Sequence, residues 1–358
     1  MQDRAIARWR MQTMRLSDRT YASPAAVVEG LLAVQAENHP QASWAVATRT
    51  PATGHAQMAQ LFDAGVLLRT HVLRPTWHYV RPADIRWLIE VTAPRIRRTF
   101  VPLQRELLLD DATLDAAAVV VVQSLAGGTH LTREAIGERL ADAGLPSEGQ
   151  GLGVVMAYAE LLALVCSGAM DGTRHTYALL EERAPDARRL DREEALAQLV
   201  LRYFTGHGPA TERDLAYWAT MTLTDVRAGL AQVADQLQHM EVQGRTYWFA
   251  SAGSGLGAMT CPPAHLLQIL DEYHNGYQDS RYILDADGIV PRGRQASVGM
   301  ALVDGQLVGG MRRTMRAEEV RFDLDLFRAL DPSEREAVDQ AAQRYGAFLE
   351  LTPRVHVT

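Results

Sequence analysis

The feature that most constrains the fold of this chain is a unit of predicted helices and a β-hairpin that occurs three times. In the second copy Thr132 is a predicted N-cap, because an acidic residue follows it in the first turn and Ile136 and Leu140 are spaced i, i+4. In the third copy a Thr-x-x-Asp pattern at Thr211 opens the middle helix in the same way. This order is typical of winged helix-turn-helix units. We therefore predict three of them in tandem, with unrelated α+β packing as the alternative.

The predicted elements follow from hydrophobic periodicity and turn residues. The first copy has helices at 25–34, 55–64 and 82–93 and β-like runs at 66–73 and 76–80. The second has helices at 114–125, 132–140 and 153–164 and strands at 164–169 and 175–180. The third has helices at 193–204, 211–218 and 224–230 and strands at 240–242 and 246–249.

Beyond the glycine-rich segment 253–257 the pattern changes to short β-like runs, at 296–303, 306–310 and 319–324. Asp304-Gly305 is a predicted hairpin turn between the first two. A last helix at 333–349 carries an apolar face formed by Val338, Ala341, Ala342, Tyr345 and Phe348. The predicted fold class is α+β, with winged helices at 1–110, 111–188 and 189–255 and a β-barrel-like module with a closing helix at 256–358.

Arginine supplies all 36 basic side chains, because the sequence contains no lysine. Catalysis through a lysine Schiff base is thereby excluded, and every positive patch consists of planar guanidinium groups suited to phosphate. A formal net charge of -7 and a pI near 5.9 argue against a purely electrostatic nucleic-acid binder. They still allow a locally basic groove on an acidic body.

The two cysteines, Cys166 and Cys261, lie far apart and have no second thiol or histidine at ligand spacing. We expect reduced, buried thiols rather than a disulfide framework or a zinc site. The longest apolar stretch, 116–122, is much shorter than a membrane span, which predicts a soluble cytoplasmic protein. No glycine-rich phosphate fingerprint has the required flanking elements, so neither a nucleotide nor a metal cofactor is expected.

Polar groups concentrate in two N-terminal segments, 34–40 and 68–78, and this concentration predicts a functional site. Gln35 and Glu37 would point about 200° apart within an α-helix. Because Pro40 disfavours the α conformation of the residue before it, we expect the helix to end here and the pair to converge at its exit. The alternative is an ordinary helix end, with Gln35 buried and Glu37 solvated or paired with an arginine.

The second segment is predicted to form a wing, with Pro75-Thr76 at its turn. Arg69 and Arg74 are expected to bind phosphates, and Trp77 or His78 to pack against a sugar or a displaced base. The alternative is that Trp77 belongs to the core of the first unit and that His78 is hydrogen-bonded within its strand. The candidate DNA contacts of the two segments are Asn38, His39, Arg69, Arg74, Thr76, Trp77 and His78.

A second polar cluster follows in the C-terminal region and contains Asp271, Glu272, Tyr273 and Tyr277. It is expected either to support the first site or to form an ion-pair network that ties the C-terminal module to the winged helices. A basic loop with Arg292 and Arg294, together with Arg312, adds candidate DNA contacts, with an ordinary solvated loop as the alternative.

Gln35-Ala36-Glu37, the 69–78 block and the segment 271–281 resemble the AlkZ/YcaQ-type winged-helix DNA glycosylases, and the similarity covers nearly the whole chain. In that family three tandem winged helices and a β-barrel form a C-shaped body whose concave face grips DNA. Its members remove bulky or crosslinked alkyl purines by hydrolysing the N-glycosidic bond. The family signature is a glutamine, an apolar residue and then glutamine or aspartate. The resemblance implies that Gln35 and Glu37 form the catalytic pair, with glutamate as a departure from the signature.

The chemistry of these two residue types fits such a reaction. Purines alkylated at N3 or N7 are already cationic, so the base departs through an oxocarbenium-like transition state without being protonated. A carboxylate at Glu37 can stabilise the sugar cation and orient or deprotonate water, while Gln35 can hold the water or the O4′ edge. Since β-elimination usually needs an amine, the absence of lysine predicts a monofunctional enzyme that leaves an abasic site.

The expected partner is double-stranded DNA carrying an alkylated purine, bound by a monomer without a metal. Two other functions are compatible with the sequence. One is a non-enzymatic winged-helix DNA-binding protein, such as a transcriptional regulator; the other is a protein that sequesters a DNA-reactive small molecule.

Overall fold

A computed structural model of the chain describes residues 2–250, 264–293 and 298–357, which form a mixed α and β fold with four small sheets. Its N-terminal part contains α1 (Gln2–Thr13), α2 (Pro24–Gly30), β1 (Val34–Gln35), α3 (His39–Ala47), α4 (His55–Asp63), β2 (Leu68–His71), β3 (Trp77–Val80) and α5 (Pro82–Glu106). The three strands form an antiparallel sheet in the order β1-β3-β2.

The prediction that a helix continues to residue 34 is wrong, because α2 ends at Gly30 and Gln35 lies on β1. Residues 31–34 are fully buried in succession, so the run has no exposed face from which a helix could be told from a strand. Pro40, which was predicted to mark the end of a helix, instead lies near the start of one. It occupies the first turn of α3, where a missing N–H costs nothing, and Asn38 caps that helix.

The long helix α5 extends to Glu106, well past the predicted end at residue 93, and it contains Pro94 and Pro102. Its buried face continues beyond Pro94 with Ile96. The side chain of Arg95 donates to the carbonyl of Thr220 at 2.7 Å. Tertiary packing therefore outweighs the local penalty of the two prolines.

Three helices followed by a β-hairpin occur in each of two further parts of the chain, which are the second and third copies of the predicted unit. The second copy contains α6 (Asp111–Leu125), β4 (Leu131–Thr132), α7 (Arg133–Asp142), α8 (Gly149–Leu161), β5 (Val165–Ser167), β6 (Thr176–Leu179) and the short α9 (Leu180–Arg183). The third contains α10 (Arg192–His207), α11 (Glu212–Trp218), α12 (Leu223–Val233), β7 (Leu237–Val242) and β8 (Arg245–Ala250). The predicted cap at Thr132 is confirmed, and Thr211 forms a complete capping box with Asp214.

The C-terminal part contains β9 (Ala264–Leu267), α13 (Glu272–Asn275), β10 (Gly299–Val303), β11 (Gln306–Met315), β12 (Glu319–Leu326), α14 (Pro332–Leu349) and β13 (Thr352–Val357). These strands form one sheet in the order β13-β12-β11-β10-β9, in which only β12 and β13 run parallel. The predicted turn at Asp304-Gly305 is confirmed, with φ of 50° and 72° at its two residues. The predicted apolar face of α14 is buried.

Two large cores organise these parts. One is continuous from the N-terminal part through α10–α12 to the C-terminal sheet. The other lies within the second copy, between α6, α7 and α8. Val34 and Ala36, on either side of Gln35, lie in the first core, and the main chain of Gln35 contacts Glu272 of the C-terminal part. Arg69 of the adjacent hairpin contacts Ser167 of the second copy.

Candidate active site

Gln35 and Glu37 lie next to each other at the end of β1. The side-chain Oε1 of Gln35 accepts a hydrogen bond from the backbone N–H of Glu37 at 3.2 Å. Gln35 is 2% exposed, whereas the Glu37 side chain is open to solvent. Gln35 ends β1 and Glu37 lies in the bend that follows, so a strand end brings the pair together without the helix exit that the sequence predicted.

Backbone bonds from the neighbouring strand fix the position of this segment. The N–H of Trp77 donates to Oε2 of Glu37 at 3.2 Å. The carbonyl of Trp77 accepts from the N–H of Ala36 at 2.7 Å, one step beyond the β1–β3 ladder. The carboxylate of Glu37 is therefore oriented on one side and reachable from solvent.

Arg69, which the sequence predicts to bind phosphate, donates hydrogen bonds to the main chain of this segment. Its Nε donates to the carbonyl of Ala36 at 3.0 Å and its Nη2 to the carbonyl of Glu37 at 3.3 Å. Its guanidinium carbon lies 4.4 Å from the ring centre of Trp77, a cation–π contact. The indole N–H of Trp77 donates to Glu160 at 3.2 Å, so this half-buried ring connects two of the repeated units.

Glu272 lies directly behind Gln35 and is fully buried. Its Oε1 accepts the backbone N–H of Gln35 at 2.7 Å, its Oε2 accepts the indole N–H of Trp218 at 2.8 Å, and Nε2 of His207 lies 3.5 Å from Oε2. Burial alone would raise the pKa of this carboxyl. The contact with His207 and the positive charge of Arg74 outweigh burial and lower the pKa of Glu272 to about 2. Glu272 is therefore ionised at neutral pH.

Arg74 and His78, two of the predicted DNA contacts, are both buried in a network beside Glu272. Arg74 donates to the carbonyl of Asn275 at 3.0 Å and to Nε2 of His78 at 3.4 Å, while Nδ1 of His78 donates to the carbonyl of Thr76 at 3.0 Å. Burial and the charge of Arg74 lower the pKa of His78 to about 3, so its imidazole is neutral. Thr76 is half-buried at the end of this network.

Asn38 and His39, two further candidate DNA contacts, are engaged within the protein. The Asn38 side chain accepts from the N–H of Gln41 at 3.2 Å as the cap of α3. Nδ1 of His39 lies 2.6 Å from the Tyr79 hydroxyl, and its ring packs edge-on against His175 at 4.5 Å. Burial, followed by the neighbouring imidazole, lowers the pKa of His39 to about 3.

Three members of the second polar cluster are structural. Asp271 forms a fully buried, two-armed ion pair with Arg49, with N···O distances of 2.7 and 3.0 Å. The Tyr273 hydroxyl contacts the carbonyl of Gly305 at 2.9 Å, which joins it to the C-terminal sheet. The Tyr277 hydroxyl donates to the carbonyl of His207 at 2.6 Å. These contacts correspond to the network alternative for the cluster, whereas Glu272 alone contacts the segment of Gln35.

The remaining arginine candidates lie far from this network in the sequence. Arg292 is exposed in a turn, and Arg312 is exposed on β11, opposite Asp323 of β12. Arg294 lies outside the described residues.

Sequence reasoning missed four residues of the site: Glu160, His207, Trp218 and Asn275. Trp218 ends the helix whose capping pattern was recognised, yet nothing in that pattern indicates that its indole N–H reaches a carboxylate 54 positions later. Glu160 interrupts the otherwise apolar helix α8, and a single buried carboxylate in such a run is a usable signal.

Within the described ranges, no group of three or more histidine, cysteine, aspartate or glutamate side chains is arranged to hold a metal ion. In the same ranges, no helix combines the length and the apolar character needed to cross a membrane.

Comparisons with known proteins identify close parallels in sequence and fold. The model of a family described as DNA glycosylase AlkZ-like matches residues 28–348. An interstrand DNA cross-link repair glycosylase from Streptomyces sahachiroi is 26% identical over 289 residues, which are 75% of this chain and 76% of that protein. The solved structure of the Streptomyces sahachiroi DNA glycosylase AlkZ superimposes with a TM-score of 0.82 at 22% identity, over 99% of both chains.

Proposed function

The chain belongs to the AlkZ-like DNA glycosylase family, and from this premise we propose that it releases alkylated purines from DNA through Gln35 and Glu37. Membership makes it an enzyme of the DNA glycosylase type that acts on DNA with damaged bases. The observation that carries the assignment of residues is the geometry at the end of β1. There Gln35 contacts the N–H of Glu37, and Trp77 orients the exposed carboxylate.

Glu37 is the carboxylate that faces the developing positive charge. In hydrolysis of a cationic N3- or N7-alkylpurine nucleoside, the C1′–N bond breaks and its electron pair leaves with the base, which becomes neutral. The sugar then carries an oxocarbenium-like charge that an adjacent anion stabilises. The same carboxylate orients a water whose oxygen bonds to C1′, and it accepts the proton that this water loses.

Gln35 supports this step with its amide. The carbonyl oxygen is occupied by the N–H of Glu37, so the NH₂ group is the part that donates to water or to the sugar ring oxygen. Behind it, the ionised Glu272 fixes the backbone N–H of Gln35. We assign Glu272 a positioning role, since it acts through Gln35 and is fully buried.

The reaction leaves an abasic site and an intact strand. Strand cleavage by β-elimination usually runs through an amine, and the chain has no lysine. We therefore propose a monofunctional glycosylase.

The three repeated units serve as tandem winged helices, with boundaries at 1–110, 111–188 and 189–255, followed by a β-barrel-like module at 256–358. We propose that they form a C-shaped body around duplex DNA, with Arg292, Arg294 and Arg312 on phosphates. The exposure of Arg292 and Arg312 supports this part. We further propose that the enzyme acts in the cytoplasm as a monomer and needs no metal.

The substrate range includes bulky and crosslinked purine adducts. The name of the Streptomyces sahachiroi relative, a cross-link repair glycosylase, supports this extension. Glutamate at position 37 keeps the carboxylate of the aspartate variant of the family signature and adds one methylene of reach.

The test uses duplex DNA with a single N7-methylguanine, incubated with the protein and then heated in alkali, which cleaves at abasic sites. We expect alkali-dependent cleavage at the lesion by the wild type and by the matched surface control Glu90→Gln. Glu37→Ala and Gln35→Ala should lose it. Absence of cleavage at this lesion and at a defined interstrand crosslink would refute the function. Wild-type cleavage by Glu37→Ala would refute the assigned carboxylate.

A further inference from the structure

Glu160 is a buried carboxylate of the second unit that faces the hairpin of the first. It lies on α8, is 1% exposed and contacts β2 and β3 with both of its oxygens. Nδ1 of His71 donates to Oε2 at 2.6 Å, and Nε1 of Trp77 donates to Oε1 at 3.2 Å. The His71 and Trp77 rings also pack against each other, with centroids 4.3 Å apart. Because a buried carboxylate needs such partners, its two bonds fix the orientation of the indole.

Trp77 reaches Glu37 by two routes. The first is direct, from the backbone N–H of Trp77 to Oε2 of Glu37 at 3.2 Å. The second passes through Arg69, whose guanidinium lies 4.4 Å from the indole centre and donates to the carbonyls of Ala36 and Glu37. Whatever holds the indole therefore holds both the main chain and the side chain of Glu37.

We propose that Glu160 is a positioning residue for Glu37, acting through Trp77 across the boundary between the second and first units. This rests on the proposed function, which assigns Glu37 to the sugar cation. Without Glu160 the indole N–H of Trp77 loses its acceptor, and the ring no longer holds the guanidinium of Arg69 in place. The carboxylate of Glu37 then leaves its reactive orientation. Small misplacements of a reacting group are costly, since about 1 Å can reduce a rate by about 10²-fold.

The first test separates chemistry from binding. Glu160→Gln keeps the size of the side chain but removes its charge and replaces one acceptor oxygen with a donor, so the two bonds are weakened and His71 must change tautomer to keep its own. We expect the single-turnover release of N7-methylguanine from a duplex to slow by about tenfold, with an unchanged duplex Kd by fluorescence anisotropy. Glu182→Gln is the matched control. Its carboxylate accepts from Gly127 and Gly128 within the second unit, and the rate should stay at wild type.

The second test asks whether Glu160 acts through Glu37. In a Glu37→Ala background, Glu160→Gln should not slow the residual single-turnover release, followed over long times at excess enzyme, because the group that it positions is gone. A wild-type rate for Glu160→Gln alone would overturn the proposal. So would a full, additive loss in the Glu37→Ala background.

A third measurement, by NMR, is independent of activity. The chain contains six tryptophans, so the ¹H–¹⁵N spectrum of protein labelled at tryptophan has few signals. Trp77→Phe identifies the backbone amide signal and the indole signal that belong to Trp77. Glu160→Gln should shift the Trp77 amide signal and speed proton exchange at its indole, whereas Glu182→Gln should not. Unchanged Trp77 signals would refute the positioning contact. A moved signal in a protein whose wild type releases no base would refute the proposed function and leave the contact standing.

Discussion

Replacing Glu272 with glutamine is the sharpest test of the network behind the site. The variant keeps the volume of the side chain, but its NH₂ group faces either the backbone N–H of Gln35 or the indole N–H of Trp218. In the wild type these donors lie 2.7 and 2.8 Å from the two carboxylate oxygens. One donor is left unsatisfied in the interior and the other loses the charge of its acceptor. Each effect costs about 1–3 kcal/mol.

The pKa of Glu272 gives a second way to calculate how much free energy of unfolding the variant should lose. A shift from 4.5 to about 2 means that folding favours the ionised form by roughly 3 kcal/mol, at about 1.4 kcal/mol per unit. Because the folded pKa is depressed, this stability is present above pH 4.5 and is lost as the pH falls towards 2. The two routes agree on a free energy of unfolding lowered by about 3 kcal/mol at pH 7.

The assay is urea denaturation of wild type and Glu272→Gln between pH 7 and pH 3. The gap between their unfolding free energies should be widest at neutral pH and should shrink below pH 4.5, as the unfolded wild type takes up a proton that the folded protein does not yet bind. Glu90→Gln, which removes an exposed partner of Arg189, should stay within about 0.5 kcal/mol of wild type. Equal stability at pH 7, or a gap that does not change with pH, would refute the ionised state of Glu272.

Three further predictions concern buried groups. Asp271→Asn leaves Arg49 without its counter-charge in the interior, so the urea midpoint should fall by an amount equivalent to about 3–5 kcal/mol, and an unchanged midpoint would contradict this. Burial raises the pKa of Cys166 to about 12, so in a Cys261→Ser background no thiol should react with a disulfide reagent at pH 8 until urea is added; prompt labelling would show an open site. Trp218→Phe removes the indole N–H that faces the buried carboxylate, and base release should slow while duplex affinity by anisotropy stays constant; weaker duplex affinity would instead indicate a direct DNA contact.

The fold was predictable where local chemistry decides it. Thr132 and Thr211 cap the N-termini of their helices, and Asp304-Gly305 forms a two-residue hairpin turn. Both kinds of signal can be recognised in the sequence. The error at 31–35 has a physical cause, because a continuous buried run carries neither the 3.6-residue nor the two-residue period. Pro94 is a second case in which local sequence misleads, because tertiary packing keeps α5 helical through a residue that usually ends a helix.

The proximity of Gln35 and Glu37 was predictable from the sequence, whereas the groups that surround the pair were not. Residue type pointed to Gln35 and Glu37, whereas the bond from Gln35 to Glu272 spans 237 positions and the bond from Trp77 to Glu160 spans 83. The partners of the arginine side chains were the hardest feature to predict from the sequence. A guanidinium satisfies main-chain carbonyls as readily as phosphate, and a sequence does not show which of these Arg69 meets.

Ala36 makes no chemical contribution, yet its position explains the form of the tripeptide around it. Its side chain is 0% exposed and its N–H extends the ladder to Trp77, so the fold dictates a small apolar residue there. The residues on either side are under a different constraint, since the side chain of Gln35 accepts the N–H of Glu37 and the side chain of Glu37 is exposed. Selection can therefore exchange glutamine, aspartate or glutamate at position 37 while the backbone stays fixed. The spacing of the tripeptide thus separates the evolution of reactivity from the evolution of stability.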